Sequence, residues 1–373
     1  MPNHAIKGRG AVSNPANRYE STHTVRIDDG WQRATPSAGE EPPLPDDNAD
    51  PPRLSTTLTR DASRTIIARN TSPDIGFDRS INPYRGCEHG CIYCFARPTH
   101  AYLGLSPGLD FESKLLFKPD AAALLRQELA SPKYRCDILA IGTNTDPYQP
   151  VERELKIMRS ILQVLSETNH PVGIVTKSAL VTRDIDILSD MAKRNLAQVA
   201  VSVTTLDRRL ANLMEPRAAT PTRRLDAIRQ LAAAGIPTAI MTAPMIPGLN
   251  DHELETLIGQ GAENGAVSAN YVMLRLPLEI GPMFEEWLRA HFPERAERVI
   301  SLVRQTREGK LYASDWHQRM RGTGPVAELL KQRFAAAIRK HGLNRERYRL
   351  DITRFTPPVR EKPGKDSRQL SLL

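Results

Sequence analysis

The stretch Ser80-Ile81-Asn82-Pro83-Tyr84-Arg85-Gly86-Cys87-Glu88-His89-Gly90-Cys91-Ile92-Tyr93-Cys94 sets the frame for the rest of the chain. Its first five residues form a short β-rich run. A loop follows that carries three thiols in the spacing C-x3-C-x2-C. A loop of this kind brings three thiolates close together, and glycines at 86 and 90 let the backbone wrap tightly around whatever they hold. Four thiolates would saturate a cubane iron–sulfur cluster. Three leave one iron without a protein ligand, and an open metal position is where a substrate binds.

Working outward, β-rich runs recur at Asp137–Ile141, Val172–Thr176, Val199–Val203, Thr238–Ala243 and Ala269–Leu274. Each run, the first included, is followed by a stretch of helical period or composition, at Pro119–Ala130, Glu152–Thr168, Arg183–Arg194, Pro221–Ala234, Asp251–Gly265 and Pro282–Ala290. Thr220–Pro221 reads as an N-cap with Pro in the first helical position, Gly235 as a C-cap glycine, and Asp251 as a helix start. Serial βα units imply a parallel sheet with right-handed crossovers. Six units fall short of the eight of a closed barrel, so the expected fold is α/β, a partial (βα)6 TIM-type barrel with disordered N- and C-terminal extensions. Chemistry in such a barrel sits at the C-terminal ends of the strands.

The predicted organisation is a disordered extension over 1–60, the barrel over 61–292, a helical extension over 293–356 and a disordered tail over 357–373. The stretch Glu40–Arg53 holds five prolines and hardly any large apolar residue, too little surface to offset its ordering entropy. No apolar run near Met1 resembles a signal-peptide core, and no stretch of about 18 apolar residues would span a membrane. Of four cysteines, three fall within eight positions. That is not a secreted disulfide framework, and it points to a reducing compartment, the cytoplasm. A formal charge of +8 permits a polyanionic partner without requiring one, because the basic residues are dispersed.

A zinc-stabilised nucleic-acid-binding module without catalysis is the competing reading, with His89, His100 or Cys136 as fourth ligand. It lacks the second ligand pair that structural zinc sites carry. Other strand ends offer polar groups. Gly142-Thr143-Asn144-Thr145-Asp146 makes a shelf of small hydrogen-bonding side chains, or an Asx-stabilised turn. Lys177 closes the third run, Ser202 lies in the fourth, and Arg217 stands in the loop before the next helix.

A C-x3-C-x2-C loop after the first strand, with Tyr93 before the last cysteine, resembles the radical S-adenosylmethionine (SAM) superfamily. Together with Thr176-Lys177, Ser202-Val203, Glu215-Pro216 and Ala243-Pro244 it is similar to spore photoproduct lyase and its relatives, over roughly residues 80–275. The resemblance implies a 4Fe–4S cluster on Cys87, Cys91 and Cys94, with Lys177 and Ser202 in contact with SAM. The shelf of Thr143, Asn144 and Thr145 stands where the superfamily meets the methionine amino group. Tyr93 and Arg217, the latter able to clamp a carboxylate or phosphate, complete the candidate cofactor-binding residues. The resemblance further implies an external one-electron reductant of flavodoxin or ferredoxin type, a monomer, and a substrate that includes nucleic acid among its candidates. Two departures bear on the reaction. Residues 142–146 lack the cysteine with which the lyase returns hydrogen to product, Thr143 taking its place. Phe95 stands where the lyase has a tyrosine. Thymine-dimer repair by the lyase's route is therefore not expected.

Overall fold

In a computed structural model of the chain, residues 8–20, 54–346 and 348–359 are described. The strands are β1 (Thr57–Arg60), β2 (Ile67–Arg69), β3 (Arg79–Ile81), β4 (Tyr84–Arg85), β5 (Lys114–Phe117), β6 (Leu139–Ile141), β7 (Val172–Thr176), β8 (Ala197–Ser202), β9 (Thr238–Met245) and β10 (Ser268–Met273). The α-helices are α1 (Leu109–Ser113), α2 (Ala121–Leu129), α3 (Glu152–Leu155), α4 (Ile157–Glu167), α5 (Ile185–Lys193), α6 (Arg208–Met214), α7 (Pro221–Ala233), α8 (Leu254–Glu263), α9 (Ile280–His291), α10 (Pro293–Gln305) and α11 (Gly324–His341). No helix among the described residues is long and apolar enough to cross a membrane.

The main sheet runs β10-β9-β8-β7-β6-β3-β2. From β3 to β10 every pairing is parallel, and only the edge strand β2 is antiparallel. This is the expected open six-unit barrel with one added strand. A three-stranded sheet, β1-β5-β4, stands beside it. β7 and β8 are apolar on nearly every position, as strands of a covered parallel sheet must be. Helix α4 lays Ile157, Met158, Ile161, Leu162, Val164 and Leu165 into the core, the spacing of one helical face.

Several local expectations are corrected. The run 80–84 is broken between β3 and β4 at Asn82-Pro83, where proline has no N–H for the ladder. The helix expected over 152–168 is two helices, split at Lys156 (φ 50°). The Glu152 carboxylate fills the gap by accepting from the Ile157 and Met158 N–H groups. Asp251 does start a helical segment, a single 3-10 turn (Asp251–Glu253) that leads into α8. Its carboxylate accepts from Gly248 N, and α8 begins three residues later. Residues 348–355, which alternate like a strand, form an irregular segment beneath the barrel. There Phe355 packs on Tyr134 and His170, and Asp351 N and Thr356 N bond to Asn195 O and Thr168 O.

The extension 1–60 is also not uniform. Residues 1–7 and 21–53 lie outside the described residues, as do 360–373. Residues 8–20 run against the loop that carries the cysteines. The Glu112 carboxylate accepts from Gly10 N (3.0 Å) and Ala11 N (2.8 Å), and Arg9 donates to Glu112 O (2.6 Å). Ala11 and Val12 join the apolar cluster of Ile92, Tyr93 and Met214. Gly10 approaches so closely that a Cβ there would lie 1.8 Å from Gly90 O. Two backbone N–H bonds to one carboxylate, plus two buried apolar side chains, offset the ordering entropy that composition alone suggested was uncompensated.

Candidate active site at the strand ends

The cysteine loop follows the C-terminal end of β3 and is fixed by its backbone. Cys87 N donates to Phe111 O, Ile92 N to Met214 O and Cys94 N to Cys91 O. Arg97, fully buried, spends its guanidinium on Cys91 O (2.8 Å), Gly90 O (3.0 Å) and the Glu112 carboxylate. Cys87 and Cys91 are buried and Cys94 is half-buried. Burial pushes the Cys87 thiol well above its ordinary pKa, with the negative charges of Asp146, Cys91 and Cys94 adding to it. Cys91 is pushed up to about 12, again chiefly by burial.

The three thiols thus lie close enough to oppose one another's ionisation, and they need a positive partner before they become thiolates. An iron–sulfur core is a group that would supply that charge. Among the described residues no three His, Cys, Asp or Glu side chains close on a single ion position. Of the donors named for zinc, both histidines have one ring nitrogen engaged, while the buried Nδ1 of His100 has no partner among the described residues. His89 Nδ1 faces the Asp146 carboxylate at 3.4 Å, and His100 Nε2 lies on Lys114 O at 2.9 Å. Cys136 sits before β6, at the opposite end of that strand.

Alternation along the strands decides which side chains face the barrel interior. In β7 the buried row is Val172, Ile174 and Thr176, which leaves Gly173, Val175 and then Lys177 on the inner row. In β8 the row Ala197, Val199 and Val201 packs under the helices, so Gln198, Ala200 and Ser202 point inward. Lys177 and Ser202 therefore end two adjacent inner rows at the cysteine level. Lys177 Nζ lies 5.8 Å from the centre of the Tyr93 ring. Burial acts against its charge, yet Cys91, Glu215 and Asp146 together raise its pKa above the usual lysine value. Ser202 Oγ donates to Ala243 O at 3.0 Å.

The remaining candidates are held in varied ways. Tyr93 is buried, and its hydroxyl donates to Glu215. Thr145 Oγ1 bonds Tyr84 O (2.9 Å), and Asn144 N bonds the Asn82 side chain (3.1 Å), so the shelf is tied to the β3–β4 turn. Thr143 is half-buried. Arg217 pairs with Glu88 inside the cysteine loop at 2.9 Å.

Two buried carboxylates here have roles that sequence reasoning did not assign, although it singled out the stretches that hold them. Asp146 accepts from Thr176 Oγ1, Lys177 N (both 2.7 Å) and Tyr148 N, and it faces His89. Although burial works the other way, these partners hold its carboxyl below the usual range. It joins the end of β6, the end of β7 and the cysteine loop. The second group is Glu215, which accepts from Tyr93, Thr204 Oγ1 (2.6 Å) and Arg224. Arg224 also donates to Ser202 O (3.1 Å). Glu215-Pro216 is legible as a motif, but nothing local marks Arg224 as its partner.

Gly142 begins the shelf at φ +87°, and a Cβ there would meet Val175 O at 2.0 Å. Gly142→Ala is expected to destabilise the fold by roughly 2 kcal/mol or more, read as a lowered urea midpoint at unchanged slope. An unchanged midpoint would contradict this packing.

A family model described as the Radical SAM superfamily matches residues 81–260. An uncharacterized protein of Mycobacterium tuberculosis is 36% identical over 269 residues, 72% of this chain and 75% of that protein. Another, from Methanocaldococcus jannaschii, is 27% identical over 219 residues, 59% of this chain and 78% of its own length. Among solved structures, spore photoproduct lyase complexed with dinucleoside spore photoproduct matches with a TM-score of 0.51 at 15% identity. That match covers 76% of this chain and 79% of the lyase chain, and it is a likeness of fold.

Proposed function

Because the chain belongs to the radical SAM superfamily, we propose that Cys87, Cys91 and Cys94 hold a 4Fe–4S cluster and leave its fourth iron to SAM. Bound, this pair supplies a 5′-deoxyadenosyl radical by one-electron reductive cleavage, the electron coming from a flavodoxin- or ferredoxin-type protein. The observation that carries the reading is the convergence of the cysteine loop with the inner-row residues Lys177 and Ser202 at one end of the parallel strands.

The chain's own residues divide the work. Lys177, kept protonated by the surrounding negative charge, meets the SAM carboxylate as a point charge. Thr143 and Asn144 face the amino acid end from the shelf, and Ser202 offers its hydroxyl to the ribose. Tyr93, fixed on Glu215, gives the loop a rigid wall, while Thr145 and Arg217 hold the shelf and the cysteine loop in place. The apolar, proline-stiffened stretch 243–251 at the end of β9 is the lip that suits adenine.

The chemistry so supplied would be directed at a substrate C–H bond. Nucleic acid stands first among substrates, because the net charge of +8 suits a polyanion and a lyase of this fold takes a dinucleoside. The enzyme is read as a cytoplasmic monomer. Lys177→Ala is expected to weaken SAM binding to the reconstituted protein by about 10-fold or more, as removal of a charge-assisted contact does, with iron content unchanged. Equilibrium dialysis checks it, and equal affinity would remove Lys177 from the site. Release of 5′-deoxyadenosine on reduction tests the whole reading.

A further inference from the structure

A barrel of six strands is open on one side. Here that side lies between β10 and the β2–β3 pair, and the segment 316–321 crosses it. On β10, Met273 N donates to Met320 O and Arg321 to Tyr271 O. On the turn between β2 and β3, Asp74 accepts from His317 N (2.6 Å) and pairs with Arg319 (2.5 Å). At the strand-end level of the same opening stands Phe95, the residue after Cys94. It is 41% exposed. The guanidinium of Arg275, two residues past the end of β10, lies 4.7 Å from its ring centre.

Arg275 is unusual in what it lacks. Its Nε is shielded from solvent and has no partner among the described residues. Nη1 reaches only the Met320 thioether, at 3.5 Å, a weak acceptor. Arg307, 1% exposed, gives two donors to Gln318 O and Leu274 O and leaves its own Nε unpartnered. Burial and then the charge of Arg275 hold Arg307 down to about 10, so the two cations lie near each other, and among the described residues neither has an ion-pair partner. Elsewhere in the molecule, buried or partly buried arginines meet acids: Arg97 with Glu112, Arg224 with Glu215, Arg319 with Asp74. Two neighbouring guanidiniums with shielded, unpartnered Nε donors and no acid partner are costly unless an anion completes them.

The geometry points to Arg275, stacked on Phe95, as a substrate-binding residue that receives a phosphate of the substrate at the open side of the barrel, one residue from Cys94. The planar fork of a guanidinium suits two-point contact with an oxyanion. Phosphate is chosen over carboxylate because the strap adds a second aromatic–guanidinium stack. Trp316 is 51% exposed, with Arg319, whose own donors are committed to Asp74 and Ser72, at 4.4 Å from its ring centre. Aromatic faces alternating with guanidiniums suit bases joined by phosphates. The inference deepens the radical SAM reading by naming the chemical class held beside that site.

The test is fluorescence polarisation of a labelled single-stranded dT8 oligonucleotide with the reconstituted full chain, wild type against Arg275→Gln and Arg275→Lys. Arg275→Gln is expected to weaken binding by about 10-fold or more and to reduce the salt slope by about one. Arg275→Lys, which keeps the charge but loses the fork and the stack, is expected to fall between. Iron content and melting temperature should match wild type in both variants. Inorganic phosphate should displace the probe more effectively than citrate at equal ionic strength. Failure of wild type to bind dT8, equal binding by Arg275→Gln, or citrate displacing as well as phosphate would each overturn the proposal. Iron, sulfide and 5′-deoxyadenosine are measured on the same samples. Arg275-dependent binding in a protein that loads no cluster would therefore retain the anion site and reject the radical SAM reading, and the converse result would do the opposite.

Discussion

Cys91→Ala is expected to yield a folded protein that loads almost no 4Fe–4S cluster and releases no 5′-deoxyadenosine. The loop's shape does not depend on the thiol. Arg97 holds Cys91 O, Ile92 N bonds Met214 O, and Cys94 N bonds Cys91 O, all through the backbone. Alanine preserves those bonds, and the small void it leaves beside Ile92 and Tyr93 costs about 1 kcal/mol. Losing one of three thiolates, in contrast, leaves two protein ligands for four irons. After anaerobic reconstitution, iron should fall from about four per chain to well below one, with loss of the absorbance near 400 nm typical of iron–sulfur thiolate sites. Cys136→Ala is the control. That residue lies before β6, at the far end of the strand from the loop, and iron content should stay at the wild-type value. Retention of four irons by Cys91→Ala, or their loss in Cys136→Ala, would overturn the ligand assignment.

What could be read from the chain followed from local signals. Apolar runs near 139, 172, 199, 238 and 269 are β-strands in the predicted parallel arrangement, because β-branched and small apolar residues there leave no polar face for water. The parity of those same runs places Lys177 and Ser202 on the inner rows, and Pro221 and Gly235 mark the limits of α7. What escaped notice depends on partners distant in sequence. The Lys156 break has neither Gly nor Pro to announce it, and is made tolerable by a carboxylate four residues earlier. Residues 8–20 share the polar composition of the stretch after them, and only Ala11-Val12 hints at burial. Their real anchor is Glu112, a hundred residues on. The strap 316–321 has no periodicity at all. Its order comes from Asp74 and from one amide and one carbonyl of β10, Met273 N and Tyr271 O. Asp146 and Glu215 lie in stretches that stand out in the sequence, but a buried carboxylate shows its function only through the donors that converge on it.

Glu215 is the sharper test of that point. Glu215→Ala is expected to cost about 3–5 kcal/mol, the usual consequence of removing one member of a buried ion pair. Arg224 would remain almost fully buried with its charge uncompensated, and Thr204 Oγ1 and Tyr93 Oη would lose their acceptor. For a domain of this size the melting temperature should fall by roughly 10 °C. A second readout follows from Tyr93. Its ring forms part of the wall beside Cys94 and Lys177, so the surviving folded fraction of Glu215→Ala should bind SAM more weakly even when its iron content is matched to wild type. Removing both charges separates the two effects. The double variant Glu215→Leu/Arg224→Met leaves no unpaired ion and should regain most of the lost stability, while SAM affinity stays low because Tyr93 is still unheld. Acid titration gives the sign independently. Against the effect of burial, Arg224 and Lys177 depress the Glu215 pKa below its unfolded value of about 4.5. Its contribution is therefore complete above that pH and is lost only as pH falls through the depressed folded value. Wild type should lose this increment of stability on acidification, and the double variant should not. If Glu215→Ala melts within about 2 °C of wild type, or if the double variant is no more stable than the single one, then the buried pair is not what joins the cysteine loop to β8.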